Sequence, residues 1–149
     1  MTLIIRPASQ KDHNAWGVLR HKLWPHESTE QLTDELNLLV PAGYFCLLAL
    51  QNEKEIGFLE YRVRSHANGT NDSPILFIEG MYVDVMYRRQ GIGQALIDAL
   101  RRIASEKGIF YIGSDAHAEN QASIECHRKA GFTAGVPIIN FLMTLKTTQ

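Results

Sequence analysis

Glu79 is the one charged residue in the run Ile-Leu-Phe-Ile-Glu-Gly-Met-Tyr-Val, and that run leads straight into Arg88-Arg89-Gln90-Gly91-Ile92-Gly93-Gln94. A carboxylate among apolar neighbours is costly unless it is partnered or useful. Its possible uses are to hold an acceptor ammonium or, directly or through water, to take its proton before nucleophilic attack. The spacing Arg88-x-x-Gly91-x-Gly93 lies where a strand pattern gives way to a helix pattern. Glycines there let successive backbone N–H groups approach a phosphate, and a helix terminus adds positive potential. The order strand, carboxylate, basic turn and helix describes a holder for a phosphorylated cofactor beside a base. A Gly-x-Gly alone fits a plain tight turn equally well, and a satisfied structural carboxylate is the bland reading of Glu79. The Gly-Lys-Ser/Thr ending of an ATP-type P-loop is absent, as is an acidic ribose ligand of the Rossmann kind.

Four other positions carry candidate chemistry. Asp115 ends the next strand pattern, on the rim where ligands collect in open α/β sheets, or serves as an N-cap for the following turn. Trp24, just before Pro25, can cover an apolar sugar face or belong to the core. His127 can move a proton near neutral pH or be a surface histidine of the last helix. Asn120 opens that helix and fits an N-cap. The remaining histidines show no metal-binding spacing, so no metal is expected. Cys46 and Cys126 are expected to be buried thiols rather than a disulfide.

The elements that must position these residues follow from periodicity. Leu3 to Arg6 reads as a first strand, and Ser9 with Asp12 resembles a helix start followed by the stripe Trp16, Leu19, Leu23. Pro25 ends that helix. Ser28 with Gln31 opens a second, carrying Leu32, Leu36 and Leu39. Tyr44 to Leu50 and Glu55 to Arg64 form a hairpin about Gln51 to Lys54, and residues 65–74 form a polar loop. Residues 75–83 read as a strand covered on both faces, with Glu79 sharing a face with Ile75, Phe77, Met81 and Val83 by strict alternation. Gly93 to Lys107 is helical, with Leu96, Ile97, Leu100, Ile103 and Ala104 on one side. Phe110 to Asp115 is a further strand, Gln121 to Ala130 a further helix, and the final extended segments lie around Ile138 to Leu145. This predicts one α/β domain over 1–149, a mixed central sheet with helices on both faces.

Composition narrows the class. The chain has 149 residues, 45% of them apolar and 21% charged, with a net charge of −1. That is ordinary for a globular protein and unlike a generic nucleic-acid binder. No apolar run approaches the roughly 18 to 20 residues of a membrane span, and no signal peptide is visible, so a cytoplasmic location is expected. Between Lys22 and Lys54 every charged residue is acidic, whereas Arg88 to Lys107 is predominantly basic. Such segregation suits one cationic and one anionic ligand, or simply two solvated helix faces.

Over nearly its whole length the chain resembles the GNAT superfamily of acetyl-CoA-dependent N-acetyltransferases. The likeness rests on the central strand, the Arg88-x-x-Gly91-x-Gly93 turn and Asn120-x-x-Ser123-x-x-x-His127-x-Lys129-x-Gly131-Phe132. It implies acetyl-CoA as co-substrate, with the backbone along Met81, Tyr82 and Val83 meeting the pantetheine arm. Arg88, Arg89, Gln90, Gly91, Ile92, Gly93 and Gln94 would cradle the pyrophosphate, and Asn120 would lie near the thioester. His127 stands where many members place a tyrosine that reprotonates the leaving thiolate. Trp16, Leu19-Arg20, Leu23-Trp24, Asn68-Gly69-Thr70, Ser73-Pro74, Phe77-Ile78-Glu79-Gly80, Ser114-Asp115-Ala116 and His127-Arg128 further resemble the chromosomal type of aminoglycoside 6′-N-acetyltransferases. That implies Trp24, Glu79 and Asp115 as aminoglycoside contacts, a homodimer and a role in resistance. His66 stands where this pattern has a tyrosine, and Val136 where it has an acidic residue; both belong to the acceptor side. Other readings of the same residues are acetylation of a polyamine, a small metabolite or a protein amino terminus, or a non-catalytic acetyl-CoA sensor.

Overall fold

Five strands form one sheet in chain order: β1 (Leu3–Pro7), β2 (Tyr44–Gln51), β3 (Lys54–Arg64), β4 (Ile75–Val83) and β5 (Ile112–Gly113). The first four pair antiparallel, and β5 joins β4 in parallel. A parallel return needs a crossover, which helix α4 (Ile92–Glu106) supplies. Helices α1 (His13–Leu23), α2 (Thr29–Asp34) and α3 (Leu36–Leu39) lie between β1 and β2, and α5 (Gln121–Lys129) follows β5. The computed structural model describes residues 2–146. The chain divides into two compact units, Met1–Asp115, which holds the whole sheet, and Ala116–Gln149, which holds α5.

Local signals set these boundaries. Asp12 accepts the Ser9 amide at 2.8 Å and takes both Arg6 guanidinium nitrogens at 2.8 and 2.9 Å, fixing the entry into α1. The Arg6 hydrogen bonds hold the Asp12 carboxyl well below the usual carboxylate range. At α2 the Ser28 hydroxyl accepts the Gln31 amide at 3.0 Å while Gln31 reaches back to the Ser28 amide, a reciprocal capping box. The β2–β3 turn places Asn52 and Glu53 at φ of 51° and 63°, the two successive left-handed residues of a tight hairpin.

Register assigns the two faces. Cys46, Leu48, Phe58 and Tyr82 lie on one, packed with Trp16, Leu19 and Leu36. Leu47, Leu59, Met81 and Val83 lie on the other. Helix α4 covers that second face, since a Cβ on Gly93 would stand 4.0 Å from Met81 Cε. Leu96 and Leu100 of α4 are fully buried, each contributing roughly 1.5–3 kcal/mol of apolar burial. The sheet thus carries helices on both faces, as the apolar stripes implied.

Five expectations are corrected. The helix expected across Leu32, Leu36 and Leu39 breaks at Glu35 into α2 and α3. The Leu32 carbonyl, which an unbroken helix would offer to the Leu36 amide, accepts from Arg20 Nη1 at 2.9 Å. Strand β4 is buried only from Ile75 to Ile78 and half-buried beyond. The β5 pairing is two residues long rather than spanning Phe110 to Asp115, because it meets β4 at Leu76 and Phe77 just before that strand bulges. In the second unit, residues 132–146 form no helix or strand, so the extended segment expected around Ile138 to Leu145 is not hydrogen-bonded as one. Cys46 is buried, and burial pushes its thiol pKa up, but Cys126 is exposed.

Candidate active site

The site begins at an irregularity in β4. Glu60 faces Gly80 and Tyr61 faces Ile78, which leaves Glu79 as an extra residue in the ladder. Such a bulge breaks alternation and re-aims a side chain. Cross-strand partners share a face, so Ile75 and Phe77 lie with Arg64 and Arg62, whereas Met81 and Val83 lie with Leu59 and Gly57 on the opposite face. The single row of Ile75, Phe77, Glu79, Met81 and Val83 expected from the sequence is therefore split at Glu79. The carboxylate turns to the Arg62 and Arg64 side: Arg64 Nη2 donates to both oxygens at 2.7 and 3.0 Å, and Arg64 Nε to one at 3.0 Å. Arg62 Nε stands 3.7 Å away. The guanidinium of Arg64 also lies 3.6 Å over the Phe77 ring, and that of Arg62 donates to the Tyr44 hydroxyl at 3.2 Å. Neither arginine was foreseen as part of the site. The available signal was their i, i+2 spacing on the strand paired with the one that carries Glu79.

Beyond the bulge β4 presents an open edge. Asp84 donates its amide to the Ile56 carbonyl at 2.7 Å, on the β3 side. By alternation the backbone groups of Tyr82 and Gly80 also face β3, and those of Met81 and Val83 face away from it. Among the described residues β5 pairs only with Leu76 and Phe77, so the Met81 and Val83 edge is not covered by a strand. Arg88 Nε donates to the Val83 carbonyl at 2.8 Å, and its guanidinium lies 5.3 Å from the Tyr82 ring centroid.

The turn then prepares an anion site. Arg89 adopts φ 63° and Gly91, the residue before α4, φ 79°. The first helical bond runs from the Ala95 amide to the Gly91 carbonyl, so the amides of Ile92, Gly93 and Gln94 have no helical acceptor. Gly91 has no side chain to cap them, and a Cβ there would meet nothing within 4 Å. Arg88, Arg89, Gln90 and Gly91 are exposed. Open amides at the start of a 15-residue helix, flanked by two arginines, fit a pyrophosphate.

Trp24 is the C-cap of α1 and lies on the Glu79 side of the sheet, against Gly80. His66 is exposed in the β3–β4 loop, and Asp115 is exposed two residues past β5. Since β5 runs parallel to β4, Asp115 follows the same end of the sheet as Glu79 and Met81. In the second unit, Asn120 Oδ1 accepts the Ser123 amide at 3.1 Å and so caps α5. His127 Nδ1 lies 2.7 Å from the Ser123 carbonyl, which can only accept, so Nδ1 carries a proton. The His127 ring meets Phe132 edge-on at 5.3 Å. Among the described residues no group of three or more His, Cys, Asp or Glu side chains is placed to hold a metal ion. No helix among them is long and apolar enough to cross a membrane.

The site is thus a bulged central strand with an open edge, ending in a glycine turn that exposes helix amides. The chain belongs to the acetyltransferase (GNAT) family, whose model matches residues 9–132. Among its curated relatives, aminoglycoside N(6′)-acetyltransferase type 1 of Stenotrophomonas maltophilia is 33% identical over 145 residues, covering 95% of this chain and 94% of the relative. The protein of the same name from Acinetobacter haemolyticus is 33% identical over 138 residues, covering 92% and 95%. Among solved structures, AAC(6′)-Iy in complex with the bisubstrate analogue CoA-S-monomethyl-acetylneamine superposes with a TM-score of 0.87 at 28% identity, covering 97% of this chain and 100% of that one.

Proposed function

We propose that this chain transfers the acetyl group of acetyl-CoA to the 6′ amine of an aminoglycoside and so confers resistance. The observation that carries the proposal is the bulge, which sets Glu79 beside the Trp24 wall and immediately before the open backbone edge of Met81 and Val83. The relatives named above acetylate aminoglycosides by their names, and one was solved with an analogue joining CoA to an acetylated neamine.

In this reading the amides of Ile92, Gly93 and Gln94, with Arg88, Arg89 and Gln90, hold the pyrophosphate of acetyl-CoA. The outward amides of Met81 and Val83 meet its pantetheine arm, and the Met81 amide donates to the thioester oxygen as charge develops there. Asn120, which caps α5, is assigned to the cofactor on the family pattern alone. Glu79, Asp115, Trp24 and His66 form the acceptor side. Glu79 receives the ammonium and, directly or through water, helps remove its proton before attack. The freed amine forms its bond to the carbonyl carbon as the carbon–sulfur bond breaks, the nitrogen sheds its second proton to water, and the thiolate takes up a proton, a step that the family pattern assigns to His127. The family model crosses Asp115 from residue 9 to 132, which supports one domain over the 149 residues. The same proposal includes a cytoplasmic homodimer. Its support is the exposed apolar run of Val136, Ile139, Phe141, Leu142, Met143 and Leu145, a surface that a second copy would cover.

Release of free CoA thiol from acetyl-CoA tests the reaction against kanamycin, tobramycin and a polyamine panel, with the acetyl position assigned on the product. Saturable release with the acetyl group on the 6′ nitrogen is expected. Turnover confined to other amines would replace the acceptor, and acetyl-CoA binding without thiol release would make the chain a sensor.

A further inference from the structure

The indole of Trp24 lies in a seat that the sequence reading did not foresee. One wall is Gly80: a Cβ there would stand 2.8 Å from Trp24 Cη2, 3.0 Å from Cζ2 and 3.1 Å from Leu23 Cδ2. Gly80 is not among the residues of positive φ, so what the position demands is space rather than backbone freedom. The other wall is Arg20, whose guanidinium lies 5.1 Å from the Trp24 ring centroid, within reach of a cation–π contact.

Arg20 is itself fixed. It is 5% exposed, donates to the Leu32 carbonyl at 2.9 Å and to Glu35 at 3.0 Å, and places Nε 3.1 Å from Glu60. Glu60, 1% exposed, accepts the Trp16 indole N–H at 2.8 Å and is the register partner of Gly80. The contacts close a circuit from Gly80 to Trp24, Arg20, Glu60 and back to Gly80. Trp16, Arg20 and Trp24 recur every fourth residue, so one face of α1 and its cap supplies two members of the circuit and the Trp16 donor to Glu60. Gly80 is also the neighbour of Glu79.

We propose that Gly80 and the buried Arg20–Glu60 pair are positioning residues for Trp24, holding the benzo edge of the indole against β4 at Gly80, next to Glu79, so that the acceptor site selects ring-bearing amines over open-chain polyamines. The inference rests on the reading of Trp24 and Glu79 as acceptor contacts. A flat, immobile aromatic wall meets the apolar face of a sugar ring, whereas a flexible polyamine satisfies Glu79 equally well without it.

Size complementation tests this. Gly80→Ala pushes the indole out, and Trp24→Ala removes it. Acrylamide quenching of tryptophan fluorescence reads the seat without any acceptor, because the only other tryptophan, Trp16, is 2% exposed. Gly80→Ala is expected to increase quenching and to raise the KM for kanamycin on the order of tenfold, the size of one lost aromatic contact. The KM for acetyl-CoA and for spermidine should stay near wild type. The double variant Trp24→Ala/Gly80→Ala should be no worse than Trp24→Ala alone, since no indole remains to be displaced. Arg20→Met should reproduce the quenching change and Arg20→Lys partly reverse it; if these variants do not fold, the glycine pair carries the test. Wild-type quenching in Gly80→Ala, or losses that multiply in the double variant, would overturn the proposal. Failure of the wild type to acetylate any aminoglycoside would instead sink the functional reading, while the quenching result still decides the seat.

Discussion

Two carboxylates stand almost side by side on β3 and β4 and share the α1 side of the sheet. Glu60 keeps its register partner Gly80 at the edge of the bulge and is buried, with Trp16 and Arg20 around it. Glu79 lies at the bulge, half-buried, with Arg64 and Arg62. Both are paired with arginine, so pairing alone does not separate structural from functional groups. Access does. Burial pushes the Glu60 pKa up against the pull of Arg20, and its Oε1 is committed to Trp16 and Arg20 of α1. The extra residue in the ladder turns Glu79 instead toward two half-exposed guanidiniums that can move aside for a ligand.

The largest effect separating them should be catalytic. Glu79→Ala is expected to lower kcat/KM for kanamycin by about 10²- to 10⁴-fold, with acetyl-CoA still binding when followed by calorimetry. Its unfolding midpoint in urea should shift by less than about 1 kcal/mol, because the arginines it leaves behind can be hydrated. Glu60→Ala should do the reverse in stability, costing about 3–5 kcal/mol by leaving the Arg20 Nε and the Trp16 indole N–H buried without the Glu60 carboxylate, while Arg20 keeps Glu35. Equal stability losses in the two variants would erase the distinction.

A smaller change is expected at Arg64. Replacing it with Gln removes the bidentate partner that orients Glu79, and kcat/KM for the acceptor should fall about tenfold, the scale of one charged hydrogen bond. The acetyl-CoA KM should not move. An unchanged acceptor kcat/KM would show that Arg62 or the bulge alone aims the carboxylate.

The smallest effect is a pH dependence of opposite sign at two buried acids. The Asp12 pKa is depressed by Arg6, so its stabilising contribution is present above the unfolded-state pKa and is lost as pH falls through the folded one. The Glu60 pKa is raised by burial, so its contribution is present below the unfolded-state pKa and is lost as pH rises through the folded value. Thermal melts between neutral and acidic pH should therefore show Asp12→Asn blunting the acid loss and Glu60→Gln steepening it. The same slope in both variants would contradict the assignment.

Most of the fold was legible in the sequence because its signals are local. Two capping boxes, a tight hairpin turn, an apolar stripe on α4 and the punctuation at Pro25 and Gly108 each act within a few residues. The glycine turn was legible for the same reason. The bulge at Glu79 was not, since it is a relation between β3 and β4 and alternation along one strand cannot reveal an extra residue in the ladder. The roles of Arg64, Arg62, Arg20 and Gly80 were hidden with it, as they depend on partners 15 residues or more away for Arg64 and Arg20, and on the Trp24 ring for Gly80. The short β5 and the unformed segment after Phe132 have the same origin. An extended apolar run becomes a strand only where a neighbour offers hydrogen bonds, and the run itself does not say where.

The most direct test of Glu79 as the acceptor carboxylate is kanamycin-dependent CoA release by Glu79→Gln and Glu60→Gln, compared at equal folded fraction. The account predicts a loss of about 100-fold or more for Glu79→Gln and near wild-type turnover, within about tenfold, for Glu60→Gln. Turnover retained by Glu79→Gln and abolished in folded Glu60→Gln would contradict it.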